Sequence, residues 1–194
     1  MTAWDPYLDL THGVLRNRLG ITDPVELAAA EADLAALAMA ELELAPLTGD
    51  YDLEHLRGFH RFIFGDVYGW AGELRTVSIG KGQLFCPPER IPAEAAEIFG
   101  WLADDDYLRG LGREEFLDGL TELLADINGL HPFREGNGRT QRAFCGQLAR
   151  EAGYRVRWAG LDRTENVTAA KFAHEGDNAP LRALLDPLIV PLEW

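Results

Sequence analysis

The sequence predicts a mainly α-helical fold carrying one β-hairpin, and three observations lead to that class. Apolar residues recur at three- and four-residue steps over five turns between Arg113 and Leu130. A second helical pattern follows after only a short interruption, from about Arg139 to Ala152, and Gly153 ends it. The one good hairpin candidate is Leu74–Cys86, where residues alternate and Gly80-Lys81-Gly82 supplies turn chemistry.

The elements follow in order. Asp23 reads as an N-cap with Pro24 at the first helical position and Glu26 three residues after the cap. That begins a helix over residues 23–45 with Leu27, Leu34, Leu37 and Leu44 on its packed face. Asp52 opens a second helix through Leu53, Leu56, Phe59 and Ile63, ending near Gly65. In the hairpin, Arg75, Val77 and Ile79 alternate with Leu74, Thr76 and Ser78, and Pro87 and Pro88 close it. Pro92 starts a third helix carrying Ile98, Phe99 and Leu102. Beyond the two best helices, Tyr154–Trp158 alternates briefly, and short helical patterns cover 166–174 and 179–185. A length of 194 residues supports one domain, with residues 1–49 as a helical extension packed on a core of 50–194.

Composition narrows the function. The formal charge is −14, so an extended polyanion or an anionic membrane is a poor partner. Asp5, Asp9, Arg16 and Arg18 interrupt the first twenty residues, leaving no apolar stretch for a signal peptide, and no run is long enough to span a bilayer. Cys86 and Cys145 are too few for a disulfide framework and read as thiols of a reducing compartment. Together these features point to a cytoplasmic protein. The charge is also uneven: residues 131–157 hold six arginines against Glu135 and Glu151, a local +4 that leaves −18 for the rest of the chain.

That basic stretch contains His131-Pro132-Phe133-Arg134-Glu135-Gly136-Asn137-Gly138-Arg139-Thr140-Gln141-Arg142, between the two best helices. Pro132 disfavours helical angles at its predecessor, which leaves His131 at the rim of the first helix. Gly136 and Gly138 permit close backbone approach by a ligand, and the second helix presents free N–H groups and its positive dipole end to an anion. Arg139 and Arg142, three apart, add guanidinium groups for the same anion. Glu135 offers one carboxylate of the kind that holds Mg²⁺ together with phosphates and water, and His131 is placed to accept a proton near neutral pH. Base, metal ligand, anion nest and charge clamp are the parts of phosphorus-centred group transfer. His12, His55, His60 and His174 show no metal-ligand spacing, and His60 reads as a core or supporting histidine.

The segment resembles the Fic-domain motif H-x-F-x-[D/E]-G-N-G-R-x-x-R at every specified position. The Gly69-Trp70-Ala71-Gly72-Glu73-Leu74-Arg75 stretch and the hairpin with Gly80-Lys81-Gly82 and Phe85 also resemble that family. The resemblance implies a Fic-like helical fold with a hairpin flap. It also implies transfer of AMP from ATP to a Ser, Thr or Tyr hydroxyl of a target protein. In that reading His131 is the base, Phe133 anchors the loop, and Glu135 holds Mg²⁺. Gly136, Asn137 and Gly138 form the anion hole, and Arg139 and Arg142 contact the outer phosphates. Val77, Ser78, Ile79, Gly80, Lys81 and Gly82 form the flap that docks an extended target segment. The family's inhibitory pattern [S/T]-x-x-x-E-[G/N] finds only Thr22 to Glu26, followed by Leu27, and helix capping already accounts for Glu26. The resemblance therefore implies a toxin restrained by a small helical antitoxin that places a glutamate beside Arg142, in the bacterial cytoplasm unless a secretion system delivers it. Alternatives are γ-phosphate transfer, UMP or GMP transfer, and a silent protein-binding module. The intact Gly136-Asn137-Gly138 trio and the complete residue set favour nucleotidyl transfer.

Overall fold

A computed structural model describes residues 5–81 and 83–192. Its centre is helix α4 (Arg113–Leu130), on which Phe116, Leu117, Leu120, Leu123 and Ile127 have no exposed surface. Side chains on so wide an arc need neighbours on several sides, and α3 (Ile91–Asp104), α5 (Asn137–Glu151), α6 (Arg163–His174) and α7 (Ala179–Leu185) all pack against it. Each fully buried leucine or phenylalanine contributes about 1.5–3 kcal/mol, so this helix is the largest single source of core burial. Helix α2 (Leu53–Phe64), capped by the Asp52 side chain, packs on α5, and α1 (Pro24–Leu44) lies across both.

The hydrophobic surface of α1 departs from the sequence reading. Its buried residues are Leu27, Glu31, Ala35 and Leu42, whereas Leu37 and Leu44 are exposed. Asp23 does cap the helix, accepting from the backbone N–H groups of Val25 and Glu26. In an alanine-rich helix the leucines do not define a single stripe, and the residue that settles its rotation is a buried carboxylate whose partners lie on other elements.

Strands are few and short. Among the described residues, three two-stranded antiparallel sheets pair β1 (Leu8–Asp9) with β2 (Val14–Leu15), β3 (Gly80–Lys81) with β4 (Gln83–Leu84), and β5 (Tyr154–Val156) with β6 (Ile189–Pro191). The hairpin is thus much shorter than the alternation of 74–86 suggests, and Gly82 lies outside the described residues. The alternation itself holds: Arg75, Val77 and Ile79 turn inward while Thr76 and Ser78 are exposed. At Arg75 and Cys86 the backbone partner is the end of α4 and the loop after it, since the Arg75 N–H donates to Pro132 O (2.9 Å) and the Cys86 N–H to Gly129 O (3.1 Å), whereas Ile79 O accepts across the hairpin from Phe85 N (3.1 Å).

Arg75 is only 2% exposed and is surrounded by carbonyl oxygens. Nε donates to His131 O (2.7 Å), and one terminal nitrogen donates to Val77 O (2.9 Å). The other reaches both Cys86 O and Leu130 O. The last carbonyls of a helix lack intrahelical donors and carry the negative end of its dipole, so a cation there satisfies both requirements. Replacing Arg75 by Met is expected to cost on the order of 3 kcal/mol in chemical denaturation, because buried carbonyls lose charged donors. Arg75→Lys should recover only part of that, having no planar fork to span the same acceptors.

Candidate active site

His131 is the residue at which α4 ends. Its backbone is left-handed (φ 44°, ψ 59°), and its N–H still bonds Ile127 O at 3.0 Å. Histidine tolerates that conformation better than most residues, and Pro132 prevents the helix from continuing. Imidazole Nδ1 lies 3.1 Å from Asn128 O, one turn back. A carbonyl only accepts, so Nδ1 carries the hydrogen and the lone pair of the neutral ring is on Nε2. The ring forms part of the wall of a cavity of about 670 Å³.

Beyond His131 the loop is fastened to the core at three points. Phe133 is fully buried and stacks on His60, with ring centroids 3.9 Å apart. The Asn137 side chain closes the turn, accepting from Phe133 N (2.9 Å) and donating to Phe133 O (2.8 Å). His60, on α2, accepts from Gly72 N at Nδ1 (2.8 Å), which places its hydrogen on Nε2, 3.0 Å from Glu135 O. Burial pushes its pKa from 6.5 down to about 4, so the tautomer that makes both bonds persists at neutral pH. Gly136 caps α5 at φ 79°, and a Cβ there would lie 2.4 Å from the Phe64 ring. Left-handed backbone and lack of room both require glycine.

Helix α5 then starts at the cavity. Gly138 and Arg142 line it, and a Cβ at Gly138 would stand 3.4 Å from an Arg142 terminal nitrogen. The first-turn N–H groups and that guanidinium therefore serve one place, the arrangement an anion requires. Glu135 lines the same wall and accepts from Gly136 N at 2.9 Å. Its carboxylate is half exposed, and no cluster of three or more His, Cys, Asp or Glu suited to a metal occurs among the described residues. A divalent ion here fits only as a shared ligand of Glu135, phosphates and water, the mode common for Mg²⁺.

Arg139 is placed differently from Arg142. Its guanidinium forms an ion pair with Glu31 of α1, lies 3.7 Å from the Glu135 carboxylate and stands over the Phe64 ring, 4.7 Å from the centroid. The Tyr68 hydroxyl donates to the other oxygen of Glu31. Asn137 likewise uses its side chain to close the loop, leaving only its backbone for an anion. The local +4 also has a different meaning: Arg134 pairs with Asp5, Arg139 with Glu31 and Arg150 with Glu43. Much of that charge holds the N-terminal segment in place, and Arg142 is the member that lines the cavity.

The structure also brings together residues that the sequence did not assign to the site. Phe85 stacks on His131, and Asn128 orients the imidazole. Lys171 and His174 of α6 also line the cavity, and of the residues the sequence assigned to the flap Ile79 and Gly80 do so. Val77 and Ser78 precede them, outside β3, and Val77 O is one of the Arg75 acceptors.

The Fic/DOC family model matches residues 50–149. Protein adenylyltransferase VbhT of Bartonella schoenbuchensis is 41% identical over 182 residues, covering 93% of this chain and 38% of that protein. The chain therefore spans well under half the length of that relative. The Salmonella typhimurium protein named "Probable protein adenylyltransferase Fic" is 40% identical, covering 95% of this chain and 92% of its own length. Among solved structures, the N-terminal Fic domain of a VirB-translocated Bep effector protein of Bartonella quintana, with bound ADP, superposes with a TM-score of 0.91. That domain is 26% identical, and the match covers 96% and 95% of the two chains. This chain belongs to the Fic/DOC family.

Two measurements test the loop's supports. In the unfolded chain His60 takes a proton below pH 6.5, whereas the folded protein resists protonation until about pH 4. Its contribution is thus complete above pH 6.5, and about 3 kcal/mol is lost as pH falls through that window. His60→Gln should show a lower stability at pH 8 and a flatter decline toward pH 4 in urea denaturation. Glu31→Ala, which deprives Arg139 and Tyr68 of a shared acceptor, is expected to cost about 2 kcal/mol by the same method.

Proposed function

We propose that this protein transfers AMP from Mg²⁺-bound ATP to a hydroxyl of a target protein. The observation that carries the reading is the pairing, on one cavity wall, of an imidazole whose Nε2 holds the lone pair with a helix N-terminus backed by Arg142. The names of the relatives and the ADP in the Bartonella quintana domain support it. In the reaction the acceptor oxygen attacks the α-phosphorus and its proton passes to His131 Nε2. The bond between the α-phosphorus and the bridging oxygen breaks, and pyrophosphate leaves. Backbone N–H groups at Asn137 and Gly138 hold phosphate oxygens, the Gly136 N–H joins them by exchanging the Glu135 carboxylate for phosphate, and Arg142 holds the outer phosphates. Glu135 would hold the Mg²⁺ ion, which when bound supplies neutralisation of phosphate charge.

The acceptor side belongs to the flap. The flap residues Ile79 and Gly80 line the cavity, and a target segment adds to the flap by main-chain hydrogen bonds. Regulation in the same reading comes from a small helical antitoxin that brings a glutamate to Arg142, restraining a toxin. In support, Glu26 is exposed in the first turn of α1 and is not part of the cavity wall. No helix among the described residues is long and apolar enough to cross a membrane, which fits action in the bacterial cytoplasm.

Incubation with a cell lysate, Mg²⁺ and either α- or γ-labelled ATP tests the reading. Label should enter protein from α-labelled ATP only and fall by 100-fold or more in His131→Ala, roughly the contribution of a positioned base. Label from γ-labelled ATP alone would reassign the protein as a phosphotransferase, and no transfer from any nucleotide would remove the enzymatic reading.

A further inference from the structure

The Phe85 ring lies flat on the His131 imidazole, with centroids 3.7 Å apart and planes 4° from parallel. Its other neighbour is His174 of α6, met edge-on at 6.1 Å and 73°. The backbone of Phe85 is tied at both ends of the hairpin. Its own N–H donates to Ile79 O (3.1 Å), while the next residue, Cys86, donates to Gly129 O and accepts from Arg75. The ring is therefore carried by the flap yet registered against the last turn of α4, from which His131 projects.

An imidazole has two side-chain torsions to fix. The Nδ1–H bond to Asn128 O restrains the ring at one edge, and a bond at one edge does not by itself define the plane of the ring. A flat aromatic neighbour defines it, because any rotation out of parallel brings the rings into contact closer than van der Waals separation. We propose that Phe85 is a positioning residue for the base. Its ring fixes the plane of the imidazole so that the Nε2 lone pair points toward the acceptor oxygen, and it links that plane to the strand that docks the target. The proposal rests on the adenylyl-transfer reading for its kinetic consequence but not for its geometric one.

Two variants separate a stacking role from simple filling. Phe85→Leu keeps apolar bulk without a ring, and Phe85→Tyr keeps the ring. Adenylyl transfer by Phe85→Leu should fall on the order of 100-fold in kcat with little change in KM for ATP, because the misaligned group is the base and not the phosphate site. Phe85→Tyr should recover most of the rate. NMR of the ligand-free full chain gives a readout independent of activity. The carbon-bound ring protons of His131, shielded by the stacked ring, should move downfield in Phe85→Leu and stay near their original positions in Phe85→Tyr. Unmoved resonances, equal losses in both variants, or a faster enzyme on removal of the ring would overturn the proposal. If the wild-type protein transfers no nucleotide, the adenylyl-transfer reading fails while the resonance shifts still decide whether Phe85 holds the ring.

Discussion

The positive charge of Arg75 at the C-terminus of α4 is the interaction on which the rest of the site depends. Two long helices meet at the cavity with opposite dipole ends. Helix α4 brings carbonyls, which repel phosphate, and α5 brings N–H groups, which attract it. By binding the Leu130 and His131 carbonyls, Arg75 masks the repulsive end and leaves the attractive one bare. The same guanidinium holds Val77 and Cys86, so the flap is suspended from the neutralising group itself. A buried cation without a carboxylate partner is costly in a core, and here it is matched by carbonyl oxygens that would otherwise lack donors.

The loop between these helices is held from two directions. On the core side, Phe133, Asn137 and His60 fix its path through backbone contacts, and Gly136 lets it pass against Phe64. On the other side, the segment before residue 50 supplies Asp5, Glu31 and Glu43 to three arginines of the basic stretch. The N-terminal segment is thus the counter-charge that sets the placement of α5, and through α5 the placement of its N–H groups.

Where periodicity was unambiguous, the sequence was sufficient. Helix α4 occupies the limits its apolar steps predict, and the break at His131 follows from Pro132. Residue chemistry also identified the cavity wall, since His131, Glu135, Asn137, Gly138 and Arg142 all line it. What stayed hidden depends on partners distant in sequence. Arg139 and Arg142 are three apart, about 60° around a helix, and the first turn of α5 is wedged between the cavity and α1. That angle is enough to send one guanidinium to Glu31 and the other to the anion end. The alternation at 74–79 was legible, but not that its inward face carries a guanidinium and meets a helix end instead of a strand. For α1, a buried glutamate outweighed the leucines in setting the rotation, and no local pattern announces such a residue. Strand β6 has only three residues, too few to show a period.

The division of labour within the motif has an evolutionary consequence. Phe133, Gly136 and Asn137 carry the folding of the loop, whereas the groups proposed for the chemistry, the His131 ring and the Glu135 carboxylate, stand at its rim. Catalysis can therefore be lost in a single codon without dismantling the scaffold, above all if His131 becomes asparagine, which also accepts left-handed backbone. Such a descendant would keep its flap and its cavity. In a lineage built this way, inert binding proteins lie one step from active enzymes, and the reverse step is as short for as long as the anchoring residues are retained.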